Sequence, residues 1–151
     1  MRNVNGWIEN YQLFMQNTEP AAVFDKWVAH SLIAAALRKK VKLPYGRINY
    51  YSNLYLLFVA EPGIARKTQA ISFGVKLVTE IPDIVLSADQ ITKQALLQDL
   101  EAAAMDEPMP DGENFRHSSI SIISKEFESF IGQKNNNTEM IVFLTDMFDC
   151  N

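Results

Sequence analysis

Cysteine is almost missing from this chain: Cys150 is the single one in 151 residues. No disulfide can form within the chain, which suits a reducing cytoplasm, and neither His30 nor His117 has a second Cys or His at zinc-ligand spacing. Long apolar runs are also absent. None approaches the roughly 20 residues that a membrane helix needs, and Met1-Arg-Asn-Val-Asn-Gly6 lacks the apolar core of a secretory signal. A cytoplasmic protein with no membrane association is expected. There is no excess of positive charge: 14 basic against 18 acidic residues give a net charge of −4 and a pI near 5.2. No global field draws the protein to nucleic acid, so any such contact must be local. The G-x-S-x-G elbow of serine hydrolases is missing too.

What is present suits one folded domain, with 48% hydrophobic and 11% aromatic residues to bury and 21% charged residues for solubility. Gly6 to Met15 spaces Trp7, Ile8, Tyr11, Phe14 and Met15 at helical intervals. A second helix is predicted from Pro20 to about Lys40, with Val23, Trp27, Ser31, Ala34 and Leu37 as its inner face. Arg38-Lys39-Lys40-Val41-Lys42, followed by Arg47, lies at or past its end. Positive charge there complements the helix dipole, and a contact with phosphate backbone is the alternative. Tyr50, Tyr51 and Tyr55 could stack on bases, although most aromatics sit at core periodicities rather than among basic residues.

Pro44-Tyr45-Gly46 reads as a turn before the continuous apolar run from Asn53 to Ala60. Such a run predicts a strand buried on both faces, the pattern of a parallel sheet, and the stretch from Lys67 to Glu80 supplies a crossover helix. Pro82 to Ser87 predicts a second strand, Ser87 with Gln90 a capping box for a helix through Leu100, and Ser118 to Ser124 a third strand. Met105 to His117 reads as an exposed loop, and a last helix runs from Glu139 to Phe148. The expected fold is α/β: a three-layer P-loop NTPase-like architecture with a short, mostly parallel sheet. An N-terminal helical segment (1–43) would precede a partial P-loop domain (44–151).

The turn Ala60-Glu61-Pro62-Gly63-Ile64-Ala65-Arg66-Lys67-Thr68 sits between the predicted strand and helix. At such a turn, consecutive backbone N–H groups and the helix N-terminus surround phosphate oxygens. Lys67 would reach the β- and γ-phosphates and the Thr68 hydroxyl would hold Mg²⁺. The strict pattern wants glycine where Glu61 and Arg66 stand, so a plain Pro-Gly turn opening a helix is the other reading. After the third strand, Glu126 is the candidate catalytic carboxylate and Ser124 a metal-side partner. The alternative for Glu126 is a first-turn helix residue.

Together, NLYLLFVAEPGIARKT, SADQITKQALL, SIISKEF and MIVFLTDMFDC resemble a family of phage- and plasmid-borne P-loop ATPases of the helicase-primase type, with a RecA-like or AAA-like core. The resemblance runs from about Trp27 to Cys150. It implies ATP and Mg²⁺ binding at Lys67 and Thr68, with Glu126 acting on water. It also implies an ATP-binding module of a DNA helicase in replication, with DNA reached through a larger assembly. Proteins of this kind continue past the last helix, so the chain is expected to be the N-terminal portion, incomplete for turnover alone. A thin parallel sheet would leave an edge for self-association or a protein partner. The competing function is a non-catalytic protein-interaction module built on a degenerate P-loop fold.

Overall fold

Gly6 takes a left-handed backbone (φ +79°) ahead of helix α1 (Trp7–Met15), and its carbonyl accepts from the Asn10 amide at 2.8 Å. The computed structural model describes residues 6–108, 112, 114–132 and 137–149, in which the chain is mixed α/β. Among those residues are six α-helices and three two-stranded sheets. They gather into two compact units, Met1–Ala36 with Leu54–Pro82, and Leu37–Asn53 with Asp83–Asn151. No helix among them is long and apolar enough to cross a membrane.

The first unit holds α1, α2 (Ala22–Leu37) and α3 (Lys67–Val78). Its core is made by Tyr11 and Met15 of α1, by Val28, Ala29 and Leu32 of α2, and by Ala70 and Val78 of α3. The buried positions of α2 are Asp25, Val28, Ala29 and Leu32, spaced as one helical stripe. The expected inner face through Val23 and Trp27 is therefore displaced: both side chains are exposed. Because α2 is apolar nearly all round, periodicity leaves its orientation open. Close packing with α3 decides it, since a Cβ added to Gly74 would lie 2.6 Å from Val28 Cγ1.

The second unit contains the hairpin β1 (Lys42–Tyr45) and β2 (Ile48–Tyr51), and a parallel pair formed by β3 (Val85–Leu86) and β6 (Ile120–Ser121). Helix α4 (Lys93–Ala102) and the antiparallel hairpin β4 (Ala104–Pro108) and β5 (Asn114–Ser118) lie between the parallel strands in sequence. Helix α6 (Asn137–Phe148) packs on α4 and on the short α5 (Phe127–Ile131), over a core of Leu96, Phe130, Ile131 and Met140.

Several expectations need correction. The apolar run expected to be a buried central strand belongs to no sheet, and Leu54, Leu57 and Val59 are exposed. A strand apolar on both faces needs cover on both faces, and these side chains do not have it. Parallel pairing does occur, but over two residues per strand; the other two sheets are antiparallel. Helix α4 is capped by Thr92, whose side chain accepts from the Ala95 amide, and not by Ser87. The stretch from Met105 to His117, read as a loop, contributes most of β4 and β5, because cross-strand pairing from Ala104 with Ser118 to Pro108 with Asn114 satisfies its backbone. Cys150 lies outside the described residues.

Tyr11 and Asp25 are buried in the first unit, and the Tyr11 hydroxyl and Asp25 Oδ1 have no hydrogen-bond partner among the described residues. Burial, and then the charge of Asp25, push the Tyr11 phenol from 10.0 up to about 12. Burial also raises the Asp25 carboxyl above the ordinary carboxylate range.

Two outcomes are expected. Gly74→Ala forces α2 and α3 apart and costs about 1–3 kcal/mol, read as a melting temperature lower by about 2–10 °C; an unchanged melt contradicts the close approach. The folded Tyr11 keeps a proton that the unfolded chain releases above pH 10, so its contribution is complete below that value and is lost as pH rises towards 12. Tyr11→Phe removes this alkaline loss and leaves stability at neutral pH unchanged or higher, because the hydroxyl has no partner to lose. Denaturant titrations across the alkaline range check both halves of that statement.

Candidate functional site

The candidate phosphate loop lies wholly in the first unit. Pro62, Gly63 and Ile64 form a turn, with Gly63 at φ +78°, and helix α3 begins at Lys67. Arg66 is the residue before the helix and has a left-handed backbone, φ +48°. For a non-glycine residue this conformation costs about 1–2 kcal/mol. It is the conformation glycine adopts freely, at the position where the strict phosphate-loop pattern asks for glycine.

Three contacts hold the loop. The Lys67 Nζ donates to the Ala60 carbonyl at 3.3 Å, closing the loop with its own lysine. The Ala21 amide donates to the Ala65 carbonyl at 3.4 Å, and the Arg66 Nε pairs with Glu19 Oε2 at 3.0 Å on the surface. The amides of Gln69 and Ala70 are satisfied by the Arg66 carbonyl. No side chain caps α3, and its first turn holds no acidic residue. With Arg66 paired to Glu19 and the Gln69 and Ala70 amides satisfied, the positive end of the helix carries the Lys67 ammonium and the Lys67 and Thr68 amides with no side-chain cap. A helix dipole disfavours that arrangement unless an anion joins it. Thr68 is exposed in the first turn, and its carbonyl accepts from the Ser72 hydroxyl at 2.8 Å. The exposed run that leads into the loop borders an open groove of about 340 Å³ with Val23, Phe24 and Trp27, where Phe24 and Phe58 stack at 4.8 Å.

Ser124 and Glu126 belong to the second unit. Both follow β6, the partner of β3, so they sit in the loop beyond the carboxyl end of a parallel strand, the usual place for ligand groups in α/β sheets. The Ser124 hydroxyl donates to the Glu126 carbonyl at 3.1 Å, and exposed Glu126 precedes α5 without capping it. Sequence reasoning missed Asp89, in the loop after β3. Its Oδ1 accepts from the Lys125 amide at 2.8 Å and fixes the loop that carries Ser124 and Glu126. Its place three residues after β3, at the carboxyl end of a strand predicted over Pro82 to Ser87, is the signal that could have found it.

A second cluster was also missed. Glu107 of β4 receives Arg38 Nη2 at 2.8 Å and Lys40 Nζ at 3.0 Å. Buried His117 of β5 has its Nε2 4.0 Å from the same carboxylate, and its Nδ1 shares a 3.0 Å hydrogen bond with the Ser119 hydroxyl. A hydrogen bond from Lys40, helped by the charges of Arg38 and Lys40, keeps the Glu107 carboxyl below its ordinary range. Burial first, and then the charge of Arg38, hold His117 below its ordinary 6.5, although Glu107 pulls the other way. The imidazole is therefore neutral at pH 7, and the cluster ties the residues after α2 to the second hairpin.

The unfolded chain takes up a proton at His117 near pH 6.5 while the folded chain resists it, so this contribution is present above that value and falls on acidification. Glu107 acts in the same direction at lower pH: its contribution is full above 4.5 and is lost as pH falls through the depressed folded value. Denaturant midpoints should decline from about pH 7 to 5 in the wild type, and His117→Gln should remove that upper part while leaving the lower one. A wild-type stability that is flat over the range contradicts the assignment.

Comparison of the chain with family models, with curated protein sequences and with solved structures gives no match.

Proposed function

We propose that residues 60–68 are the phosphate-binding loop of an ATP-binding module. The observation that carries this reading is the N-terminus of α3: uncapped amides, no acidic residue in the first turn, and Lys67 laid back on the Ala60 carbonyl. An anion at this place would meet the Lys67 and Thr68 amides, which no side chain caps, and would neutralise the Lys67 cation that the helix dipole disfavours. Phosphate is the anion that the order of residues favours, because a lysine and a hydroxyl follow the Pro-Gly turn directly. Lys67 would hold the β- and γ-phosphates, exchanging the Ala60 carbonyl for phosphate oxygens, and Thr68 would contribute its hydroxyl to Mg²⁺. The left-handed backbone of Arg66 supports the reading despite the missing glycine. The reading extends to the ATP-binding module of a cytoplasmic ATPase of the helicase-primase type in phage or mobile-element DNA replication, incomplete for turnover on its own.

A second reading draws on another observation. Leu54, Leu57, Val59 and Ile64 are exposed around the loop, more apolar surface than one short stretch usually leaves bare. A protein partner or a second copy covering them would make this an interaction module built on a degenerate phosphate loop.

Thermal-shift titration with ATP and Mg²⁺ separates the two. ATP binding raises the melting temperature as nucleotide exceeds its Kd, by about 2.7 kcal/mol of stabilisation at one hundred times Kd. Lys67→Ala abolishes the shift, and Arg66→Gly, which relieves the left-handed strain, keeps it. No shift in the wild type, together with a stable oligomer by light scattering, supports the interaction module instead.

A further inference from the structure

We propose that the hairpin of β1 and β2 is a binding site for single-stranded nucleic acid. Bases would stack on Tyr45 and Tyr50, and phosphates would meet Lys42 and Arg47. The proposal goes beyond the nucleotide reading and does not use the Lys67 loop.

The hairpin is closed by Gly46-Arg47, with Gly46 at φ +61°, the residue pattern of a two-residue II′ turn. Its register puts Leu43 opposite Tyr50 and Tyr45 opposite Ile48, so these four side chains share one face. That face is bare: Tyr45 is 73% exposed and Tyr50 53%, and Leu43 and Ile48 are exposed as well. The two tyrosine rings lie on a diagonal, 6.4 Å apart and inclined at 52°. Lys42 and Tyr51 form a pair on the opposite face, where Lys39 Nζ sits 5.3 Å from the Tyr51 ring. Two four-residue strands with an exposed apolar face have little to gain from their own packing. Such a ribbon is expected to meet a partner.

Charge selects the partner. Residues 38–51 carry five basic side chains and no acidic one, while the rest of the chain has nine basic against eighteen acidic. No acidic residue occurs between Asp25 and Glu61. Arg38 and Lys40 are held by Glu107, but exposed Lys42 and Arg47 have no carboxylate partner among the described residues. Exposed rings on one face, with Arg47 in the turn and Lys42 on the reverse face of the same narrow two-stranded ribbon, combine the two features that hold single strands: faces for base stacking and charges for phosphate. An acidic chain that concentrates its positive charge on one hairpin supplies locally the field that its net charge denies globally.

The test is fluorescence anisotropy with a labelled oligothymidylate of about 15 nucleotides, within the range of single-strand site sizes. Binding at low salt is expected, with affinity falling as salt rises. Tyr45→Ala and Tyr50→Ala should each weaken it by about 5- to 100-fold, with melting temperatures unchanged because both rings are exposed. Lys42→Ala and Arg47→Ala should each reduce the log–log salt slope by about 0.7. Lys67→Ala should bind as the wild type does. Absence of binding at low salt, or tyrosine variants that bind as the wild type does, would overturn the proposal. So would a wild-type dimer in light scattering that Tyr45→Ala converts to monomer, which would assign the face to a second copy of the chain.

Discussion

The close approach of α3 to α2 at Gly74 is the constraint on which the first unit depends. Glycine lets Val28 of α2 come within reach of the α3 backbone, and that contact fixes which stripe of a nearly all-apolar α2 turns inward. Asp25, Val28, Ala29 and Leu32 go in; Val23 and Trp27 stay out. The same packing anchors α3, with Ala70 and Val78 buried beside the core of α2. The loop before α3 is held between that anchored helix and the start of α2 through the Ala21 to Ala65 hydrogen bond. A phosphate loop needs this kind of support, since its amides must point at one place without rearranging.

Helices were legible where one side of the pattern was polar. The stretch opening with Lys67-Thr68 reads as a helix and is one, and α6 forms where Ile141, Leu144 and Phe148 predict a helix, although Ile141 and Phe148 are exposed and Met140 is its buried residue. The face of α2 was not legible, because a helix apolar all round gives periodicity nothing to select. The apolar run ending at Ala60 failed for a related reason: composition predicts a strand but cannot say what would cover it. The hairpin of β4 and β5 was hidden by prolines and a glycine that read as loop, although Pro108 ends its strand and Gly112 lies in the connection. The first hairpin was hidden in the same way. Pro44-Tyr45-Gly46 reads as the turn, whereas the turn is Gly46-Arg47 and Pro44 and Tyr45 belong to the strand before it.

At the candidate site, residue types and order were legible: a Pro-Gly turn, then Lys67 and Thr68. The conformational detail was not. The left-handed Arg66 and the return of Lys67 to Ala60 are backbone and rotamer facts that residue identity does not encode. The supporting groups were missed altogether, because Asp89 and Glu107 act through contacts 36 residues or more away in sequence, Asp89 with the Lys125 amide and Glu107 with the Arg38 guanidinium. Charge shows a similar limit. A net value of −4 describes the whole chain and conceals a hairpin region that is entirely basic.

The proposed phosphate loop requires that the amides at the start of α3 form an anion cradle. Amide chemical shifts in a ¹⁵N-labelled protein report on it directly during titration with ATP and Mg²⁺. The resonances of Gly63 to Thr68 are expected to move first and saturate together, while those of the β1 and β2 hairpin stay in place. Shifts confined to other residues, or none at all at millimolar nucleotide, would contradict it.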